Sequence, residues 1–251
     1  MSDSEIKSAV KEKYGEIARN SGSCCGPSCG CGTDDGIAGT IIMNDLYSDA
    51  DPEVRQSADL GLGCGTPLAF AGLEKGMTVL DLGSGAGIDV FLAARQIGAS
   101  GRAIGVDMTE DMIKRADINK TNLKAVNTEF RLGEIENLPV ASGSVDRIIS
   151  NCVINLVPDK SRAFAEMHRV LKPGGKFIIA DIVSVGPLPE SLRKDMVEWA
   201  GCVAGAVDQE EYLGIARNAG FRNVTVVSDK SFNLDPQVSF GLHSVTVRGT
   251  K

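Results

Sequence analysis

The stretch MTVLDLGSGAGIDV, residues 77–90, decides the fold of this chain. Its first half is an apolar run that ends in an acid, which is typical of a buried strand. Its second half places Gly83, Gly85 and Gly87 directly before an apolar pattern with helical spacing. Glycine lets the backbone turn tightly and approach a ligand closely, and a helix N-terminus offers free N–H groups. The stretch therefore predicts a strand, a ligand-binding turn and a helix in succession.

The same alternation of strand and helix continues along the chain. Apolar runs predict five strands, at residues 77–83, 102–107, 130–133, 145–151 and 176–181. Helical spacing predicts helices between them, at residues 88–98, 109–120 and 161–171. Thr109 is placed to cap the second helix, and Lys-Pro-Gly-Gly (172–175) closes the third. This order predicts an α/β fold, with a parallel sheet covered by helices on both faces.

The two ends of the chain extend this core. Two helical segments, near 189–203 and 208–219, precede two strand-like runs at residues 223–229 and 243–249. The connection between these runs is too short for a crossover helix, so they are expected to pair antiparallel at the sheet edge. The sheet then has seven strands. We expect an N-terminal helix and Cys-rich arm (1–40) and a main domain (41–251), with a substrate-binding insertion at about 183–220.

Composition excludes several classes of protein. The chain has 251 residues, 43% of them apolar, and a net charge of −7 with no cluster of Lys and Arg, which argues against a nucleic-acid partner. The N-terminus has no apolar signal-peptide region, and no apolar run approaches the roughly 18 residues that span a bilayer. We therefore expect a cytoplasmic protein without a membrane partner, and a monomer. Its seven cysteines are then expected to be ligands or reactive thiols rather than structural bridges.

Acidic residues flank the glycine turn. Asp81 stands two residues before Gly83, and Asp107 ends the second predicted strand about 20 residues after Gly87, where an acid can hold ribose hydroxyls. A lone glycine triplet is weak evidence of a ligand site, but its place between a strand and a helix favours one. The spacing G-x-G-x-G differs from the dinucleotide fingerprint G-x-G-x-x-G.

Three solitary cysteines lie apart from the N-terminal patch of four (Cys24, Cys25, Cys29 and Cys31). Cys152 follows the fourth predicted strand and so lies at the carboxyl end of the sheet, where ligands bind in this class of fold. Cys64 and Cys202 lie in segments that can wall the same cleft. Each alone could be a small buried residue. Together they would suit a soft centre, such as trivalent arsenic bound by three thiolates.

No general base stands out in the sequence. His168 lies within a predicted helix and is expected at the surface, and His243 begins the last predicted strand. An acceptor that carries its own lone pair needs no base, and trivalent arsenic is such an acceptor.

The turn resembles motif I of the class I S-adenosylmethionine-dependent methyltransferases, which have a Rossmann-like fold. Three further stretches match: Gly105-Val-Asp107-Met108, Gly133 to Pro139, and Arg169 to Gly175. The resemblance implies that the turn contacts the methionine part of the cofactor, that Asp107 holds its ribose and Met108 packs on its adenine. It also implies that Glu134 or Ile135 borders the adenine and that Asn151 lines the cleft. The implied cofactor-binding set is Asp81, Gly83, Ser84, Gly85, Gly87, Asp107, Met108, Glu134, Ile135 and Asn151.

Four segments strongly resemble arsenite methyltransferases: GCG around Cys64, SNCVINLVPDK (150–160), Trp199 to Cys202, and HSVTVRG (243–249). The resemblance implies that Cys64, Cys152 and Cys202 bind arsenic(III), delivered as arsenite or its thiol complexes. It implies Cys24 or Cys25 as a redox partner, and thioredoxin or glutathione as the reductant. Low-pKa thiolates would speed thiol exchange. Many family members carry a further domain after the final strand, where this chain ends.

Two other functions stay open. The same core motifs occur in methyltransferases that act on a ring carbon of quinone or sterol precursors, and these predict a wide, aromatic-lined pocket. A non-catalytic, thiol-based metalloid or zinc binder is the second alternative. The crowded N-terminal cysteines lack the paired spacing of a tetrahedral zinc site. Because the family resemblance favours Cys24 or Cys25 as the redox partner, Cys29 and Cys31 are expected to be dispensable or to help collect arsenic.

Overall fold

The computed structural model describes residues 2–20, 46–232 and 239–251. Within these ranges the strands are β1 (Thr78–Leu82), β2 (Arg102–Asp107), β3 (Thr128–Leu132), β4 (Val145–Asn151), β5 (Leu171–Val185), β6 (Arg222–Ser231) and β7 (Gly241–Thr250). They form one seven-stranded sheet in the order β3-β2-β1-β4-β5-β7-β6. The first five strands run parallel, and β7 pairs antiparallel with both β5 and β6. The predicted fold class is confirmed.

Eight helices are seen in the described ranges. They are α1 (Asp3–Asn20), α2 (Pro52–Ala58), α3 (Ile88–Ile97), α4 (Glu110–Asn122), α5 (Lys160–Val170), α6 (Glu190–Arg193), α7 (Met196–Ala200) and α8 (Gln209–Asn218). Helix α3 packs on β1 and β2, and α8 packs on β5 and β6. Helix α1 packs across α4 and α7.

Neighbouring residues along each strand face opposite sides of the sheet, so two cores form. Leu80 and Ile148 lie in the core that contains Phe164 of α5, whereas Val79 and Ile149 lie in the core that contains α3. Burial of both faces explains why the parallel strands are continuously apolar.

The position of β1 fixes where a ligand can bind. Strand β1 pairs with β2 on one side and β4 on the other. The connection after β1 leads toward β2, whereas the connection after β4 leads in the opposite direction, toward β5. This divergence opens a crevice at the carboxyl ends of β1 and β4.

Three local predictions differ from the structure. Lys-Pro-Gly-Gly lies within β5 as an irregularity, because pairing with β4 jumps from Val145–Leu171 to Arg147–Lys176. The helical segment near 189–203 is broken into α6 and α7 and ends before Cys202. The Thr109 hydroxyl makes no capping hydrogen bond; instead, the Thr109 N–H donates to the Asp107 carboxylate, at 2.8 Å.

In the described ranges, no helix is long and apolar enough to cross a membrane.

Candidate functional site

The glycine turn after β1 requires glycine at three positions. Gly83, Gly85 and Gly87 have φ of 66°, 52° and 97°, a region that costs other residues about 1–2 kcal/mol each. The turn is anchored on β2, since the Gly83 N–H donates to the Val106 carbonyl (2.8 Å) and the Gly85 N–H donates to Asp107 Oδ2 (2.9 Å). Hydrogen bonds to β2 thus fix the conformation of the predicted ligand-binding turn.

Close packing explains why β2 contains Gly105. A Cβ at Gly105 would lie 2.6 Å from Ser84 Oγ and 2.7 Å from the Phe130 ring. The Ser84 hydroxyl is buried there, without a hydrogen-bond partner among the described residues. Ser84 therefore presents its backbone, rather than its hydroxyl, to the cleft.

A cleft of about 1060 Å³, its open mouth included, lies beyond the turn. Asp81, Asp89 and Asp107 line it together. Burial is the main cause that raises the pKa of each carboxyl, to about 6 for Asp89, and the neighbouring acids raise the pKa of Asp81 further. A cation that entered the cleft would relieve this cost, so the cleft is suited to a positively charged ligand.

A hydrogen-bond network links these acids to Cys64. The Tyr47 hydroxyl donates to Asp89 Oδ2 (2.8 Å) and accepts from Asn151 Nδ2 (2.9 Å). Asn151 Oδ1 accepts from the Cys64 N–H (3.0 Å), and Asn151 Nδ2 also donates to the Gly65 carbonyl (2.8 Å). The sequence pointed to Asn151 but missed Tyr47 and Asp89. Asp89 could have been found in the sequence from its position in the first turn of the helix, two residues after Gly87.

The predicted adenine side is partly assembled. Met108 and Ile135 both line the cleft, and Ile135 also belongs to the main core. Glu134 is not among the side chains that line the cleft; its carboxylate accepts from Lys7 Nζ on α1 at 2.8 Å. Of the predicted pair, Ile135 is therefore the residue placed to border an adenine.

The three solitary cysteines converge. Cys64, Cys152 and Cys202 are free thiols, each at most 7% exposed, and lie in one apolar cluster with Leu156 and Ala180. Of the three cysteines, Cys152 also lines the cofactor cleft. Cys202 Sγ donates to the Cys152 carbonyl at 3.3 Å. Segments far apart in sequence thus bring three thiols to one place.

Two of these cysteines have an unusual backbone. Cys152 and Cys202 have φ of 61° and 67°, the left-handed region that residues with a Cβ avoid. The Cys152 N–H donates to the Ala180 carbonyl (2.7 Å), and the Cys202 N–H donates to the Trp199 carbonyl (3.0 Å). Residues keep such strained conformations only where the packing and hydrogen bonds around them hold the backbone in place. Positions of this kind cluster at functional sites.

The surroundings raise the pKa of two of these thiols, Cys152 and Cys64. The neighbouring thiols of Cys202 and Cys64, followed by burial, raise the pKa of Cys152 well above its usual value. Burial raises the pKa of Cys64. The expectation of low-pKa thiolates is therefore not met at these two residues. No three His, Cys, Asp or Glu side chains of the described ranges are arranged to hold a metal ion.

Helix α1 covers the cleft. Val10 and Tyr14 line it, and Tyr14 also packs on the cysteine cluster. Burial raises the pKa of the Tyr14 hydroxyl, and the nearby thiols of Cys202 and Cys152 raise it further. Lys7 ties the helix to Glu136 at 2.9 Å. The N-terminal helix is thus part of the site.

Neither histidine lies in the cleft. His168 packs on Phe221 with the ring centroids 5.2 Å apart and is half-buried, and His243 Nδ1 lies 2.7 Å from Asp229 Oδ1 on the neighbouring strand. The aromatic residues that line the cleft in the described ranges are Tyr14 and Tyr47. The wide aromatic pocket expected for a ring acceptor is not seen there.

The N-terminal patch of Cys24, Cys25, Cys29 and Cys31 lies outside the described residues. The redox role predicted for Cys24 or Cys25 stays a prediction.

Comparisons with known proteins agree with this geometry. A family model described as a methyltransferase domain matches residues 73–220. An arsenite methyltransferase from Halobacterium salinarum is 45% identical over 88% of this chain and 59% of its own length. Another, from Aquipseudomonas alcaligenes, is 36% identical over 90% of this chain and 65% of its own length. The chain thus spans about 59–65% of the length of these curated relatives.

A solved structure is similar as well. The crystal structure of an arsenic(III) S-adenosylmethionine methyltransferase from Chlamydomonas reinhardtii superposes with a TM-score of 0.71 at 34% identity. The match covers 82% of this chain and 72% of that chain.

Proposed function

Because the chain belongs to the methyltransferase domain family, we propose that it transfers the methyl group of S-adenosylmethionine to trivalent arsenic. The observation that carries this proposal is the convergence of Cys64, Cys152 and Cys202, with Cys152 also lining the cofactor cleft. The substrate is arsenite or its thiol complexes.

The cleft fits S-adenosylmethionine. The cofactor carries an ammonium and a sulfonium, and three buried carboxyl groups with raised pKa values line the cleft. Asp107 would accept from the ribose hydroxyls, and Met108 and Ile135 would flank the adenine. When bound, the cofactor supplies an electrophilic methyl group that a lone pair can attack.

The three thiols bind arsenic by exchange. Arsenous acid has three hydroxyl groups, and each thiol that forms an As–S bond gives its proton to a departing hydroxyl, which leaves as water. A glutathione complex would exchange in the same way, releasing one glutathione for each new bond. The raised pKa values of Cys64 and Cys152 favour the protonated thiols that supply those protons. Cys202 Sγ must leave the Cys152 carbonyl to join the ligand set.

Arsenic held by three sulfurs is pyramidal, with its lone pair opposite them. A lone pair needs no proton removed before it attacks, which agrees with a cleft without a histidine among its lining residues. The task of the chain is therefore to hold and align the arsenic rather than to act as a base.

Turnover requires two electrons. Methylation raises arsenic formally to the pentavalent state, and oxidation of two cysteine thiols to one disulfide would return it to the trivalent state. We propose Cys24 or Cys25 as one of these thiols, and a thioredoxin-type dithiol or glutathione as the reductant that reopens the disulfide. This chemistry suits the cytoplasm, where thiols are kept reduced. We also propose that the protein is a monomer, with an N-terminal arm (1–40) and a main domain (41–251).

The test is a methyl-transfer assay. Purified protein is incubated with methyl-labelled S-adenosylmethionine and a dithiol reductant, with either arsenite or a quinone-precursor ring as acceptor. We expect label in methylated arsenicals only. Label in the ring would favour the carbon methyltransferase instead, and binding of arsenite without transfer would favour a non-catalytic metalloid binder.

A further inference from the structure

A buried polar cluster joins the two loops that carry Cys152 and Cys202. It consists of Asn155, Lys160, Asp181 and Tyr212, of which Lys160 is 7% exposed and the others are fully buried. None of the four lines the cofactor cleft. The cluster therefore lies behind the thiols, away from the glycine turn.

The peptide groups of Asn155 lie between a buried carboxyl group and a buried amine. The Asn155 N–H donates to Asp181 Oδ2 at 3.0 Å, and the Asn155 carbonyl accepts from Lys160 Nζ at 3.1 Å. The Tyr212 hydroxyl donates to the same carboxylate oxygen at 3.1 Å. Hydrogen bonds from Lys160 on one side and to Asp181 on the other therefore fix the orientation of residue 155.

The side chain of Asn155 reaches the other loop. Asn155 Nδ2 donates to the Cys202 carbonyl at 3.2 Å, and Asn155 is only three residues after Cys152. A Cβ built on Gly205 would lie 2.1 Å from the Asn155 carbonyl oxygen, so the Cys202 loop packs directly on this residue. Asn155 is therefore the side chain that ties the position of Cys202 to that of Cys152.

Stability alone does not explain why these four polar side chains are buried together. Buried charges are costly to desolvate, and apolar side chains of similar volume often stabilise a core as well or better. Lys160 Nζ also donates to the Val157 carbonyl (3.0 Å) and lies 5.8 Å from the centre of the Trp199 ring, so its contacts too join the two loops. What the cluster supplies is a defined geometry between the loops.

We propose that Asn155 is a positioning residue that sets the separation of Cys152 and Cys202 for arsenic, oriented by the buried Lys160 and Asp181. The proposal rests on the proposed arsenic-binding function. Without the amide the fold and the cofactor cleft remain, but the Cys202 loop loses its tie to residue 155. Arsenic is then held by fewer than three sulfurs and more weakly.

The test uses Asn155→Leu, which keeps the side-chain volume and removes the amide. Trp199, the only tryptophan of the chain, donates from Nε1 to the Leu156 carbonyl (3.3 Å), so its fluorescence can follow arsenite binding. We expect the arsenite Kd to rise by about tenfold, the size of one lost hydrogen bond together with the buried carbonyl left without its partner. The Kd for S-adenosylmethionine, from calorimetry, should stay within about twofold. Arsenic X-ray absorption should count three As–S bonds in the wild type and fewer in the variant.

The matched control is Ser184→Ala, which removes a buried hydroxyl from the same strand as Asp181 but outside the cluster. It should change neither Kd. If Asn155→Leu does not fold, Asn155→Ala is measured with the same readouts. An unchanged arsenite Kd with three As–S bonds in the variant, or an equal loss of arsenite and cofactor binding, overturns the positioning role. No fluorescence response to arsenite in the wild type would instead contradict the proposed function.

Discussion

The two halves of the cleft are built in different ways. The backbone turn and the three carboxyl groups of the cofactor half come from a short stretch of chain, residues 81–107, which comprises β1, the glycine turn, α3 and β2. The thiol half comes from residues 64, 152 and 202 under helix α1, so no local segment contains it. One half is a local motif, whereas the other exists only after the chain has folded.

The two halves also differ in the titratable side chains that they present to a ligand. The cofactor half holds acids whose raised pKa values a cation would lower, so its affinity is tied to charge. In the thiol half the pKa values of Cys64 and Cys152 are raised, and in the proposed function arsenic binds there by exchange with thiols, so affinity should depend on geometry. Changes in one half should therefore leave ligand binding in the other intact, unless they act where the halves touch.

The largest expected effect comes from Cys152→Ser. Oxygen is a poor substitute for sulfur toward soft trivalent arsenic, so arsenite methylation should fall below detection. The affinity for S-adenosylmethionine should stay within about twofold, because serine has nearly the shape of cysteine and the glycine turn and carboxyl groups that line the cleft are unchanged. Activity is measured by methyl transfer and cofactor binding by calorimetry. Retained turnover would contradict the assignment of Cys152 as an arsenic ligand.

A second change acts where the halves touch. A Cβ at Gly83 would lie 2.5 Å from the side chain of Val153, the residue after Cys152. We expect Gly83→Ala to lower the free energy of unfolding by about 2–4 kcal/mol, from the positive φ and from overpacking. Because the turn and the Cys152 loop would both shift, both the cofactor Kd and the arsenite Kd should rise.

Gly143→Ala is the matched control for this change. Gly143 has a similar φ of 61°, but its Cβ would meet no atom within 4 Å. Denaturant unfolding should show a loss of only about 1 kcal/mol, with both Kd values unchanged. Equal effects of the two substitutions would show that the contact with Val153 does not couple the halves.

The smallest expected effect is a pH dependence confined to the cofactor half. Burial raises the pKa of Asp89 to about 6, and a cationic cofactor favours its ionised form. The Kd for S-adenosylmethionine should therefore rise about tenfold as pH falls from about 7 to about 5. Asp89→Asn should flatten this slope, and Asp117→Asn, an exposed acid on α4, should leave it unchanged. The same slope in wild type and Asp89→Asn would exclude Asp89 as its source.

Stability of the free protein should follow the opposite trend. A carboxyl whose pKa is higher in the folded state binds its proton more tightly there. The contribution of Asp89 to stability is therefore greatest at low pH and is lost as pH rises from about 4 to about 6. Urea unfolding without cofactor across this range measures the effect.

Much of the fold was predictable from residues alone. The alternation of apolar strands and helices, and the glycine turn at 83–87, gave the parallel core and its antiparallel edge, which the structure confirms. Lys-Pro-Gly-Gly was predicted to end a helix but lies in the irregular first part of β5. Glycine and proline occur both at helix ends and at irregularities in strands, so these residues alone do not distinguish the two. The break between α6 and α7 was missed because the residues at the break, Lys194 and Asp195, are neither glycine nor proline.

The sequence by itself determined the cofactor turn and its acids, since glycine φ values, strand ends and helix starts are local properties of neighbouring residues. It also identified Cys64, Cys152 and Cys202 as candidates through their resemblance to a family. Only the tertiary structure placed these thiols in one buried cluster, added Tyr47 and Asp89 to the cofactor half, and joined Asn155 to Cys202. Such contacts join residues tens of positions apart, and side-chain packing across the sheet, rather than any periodicity in the chain, decides them.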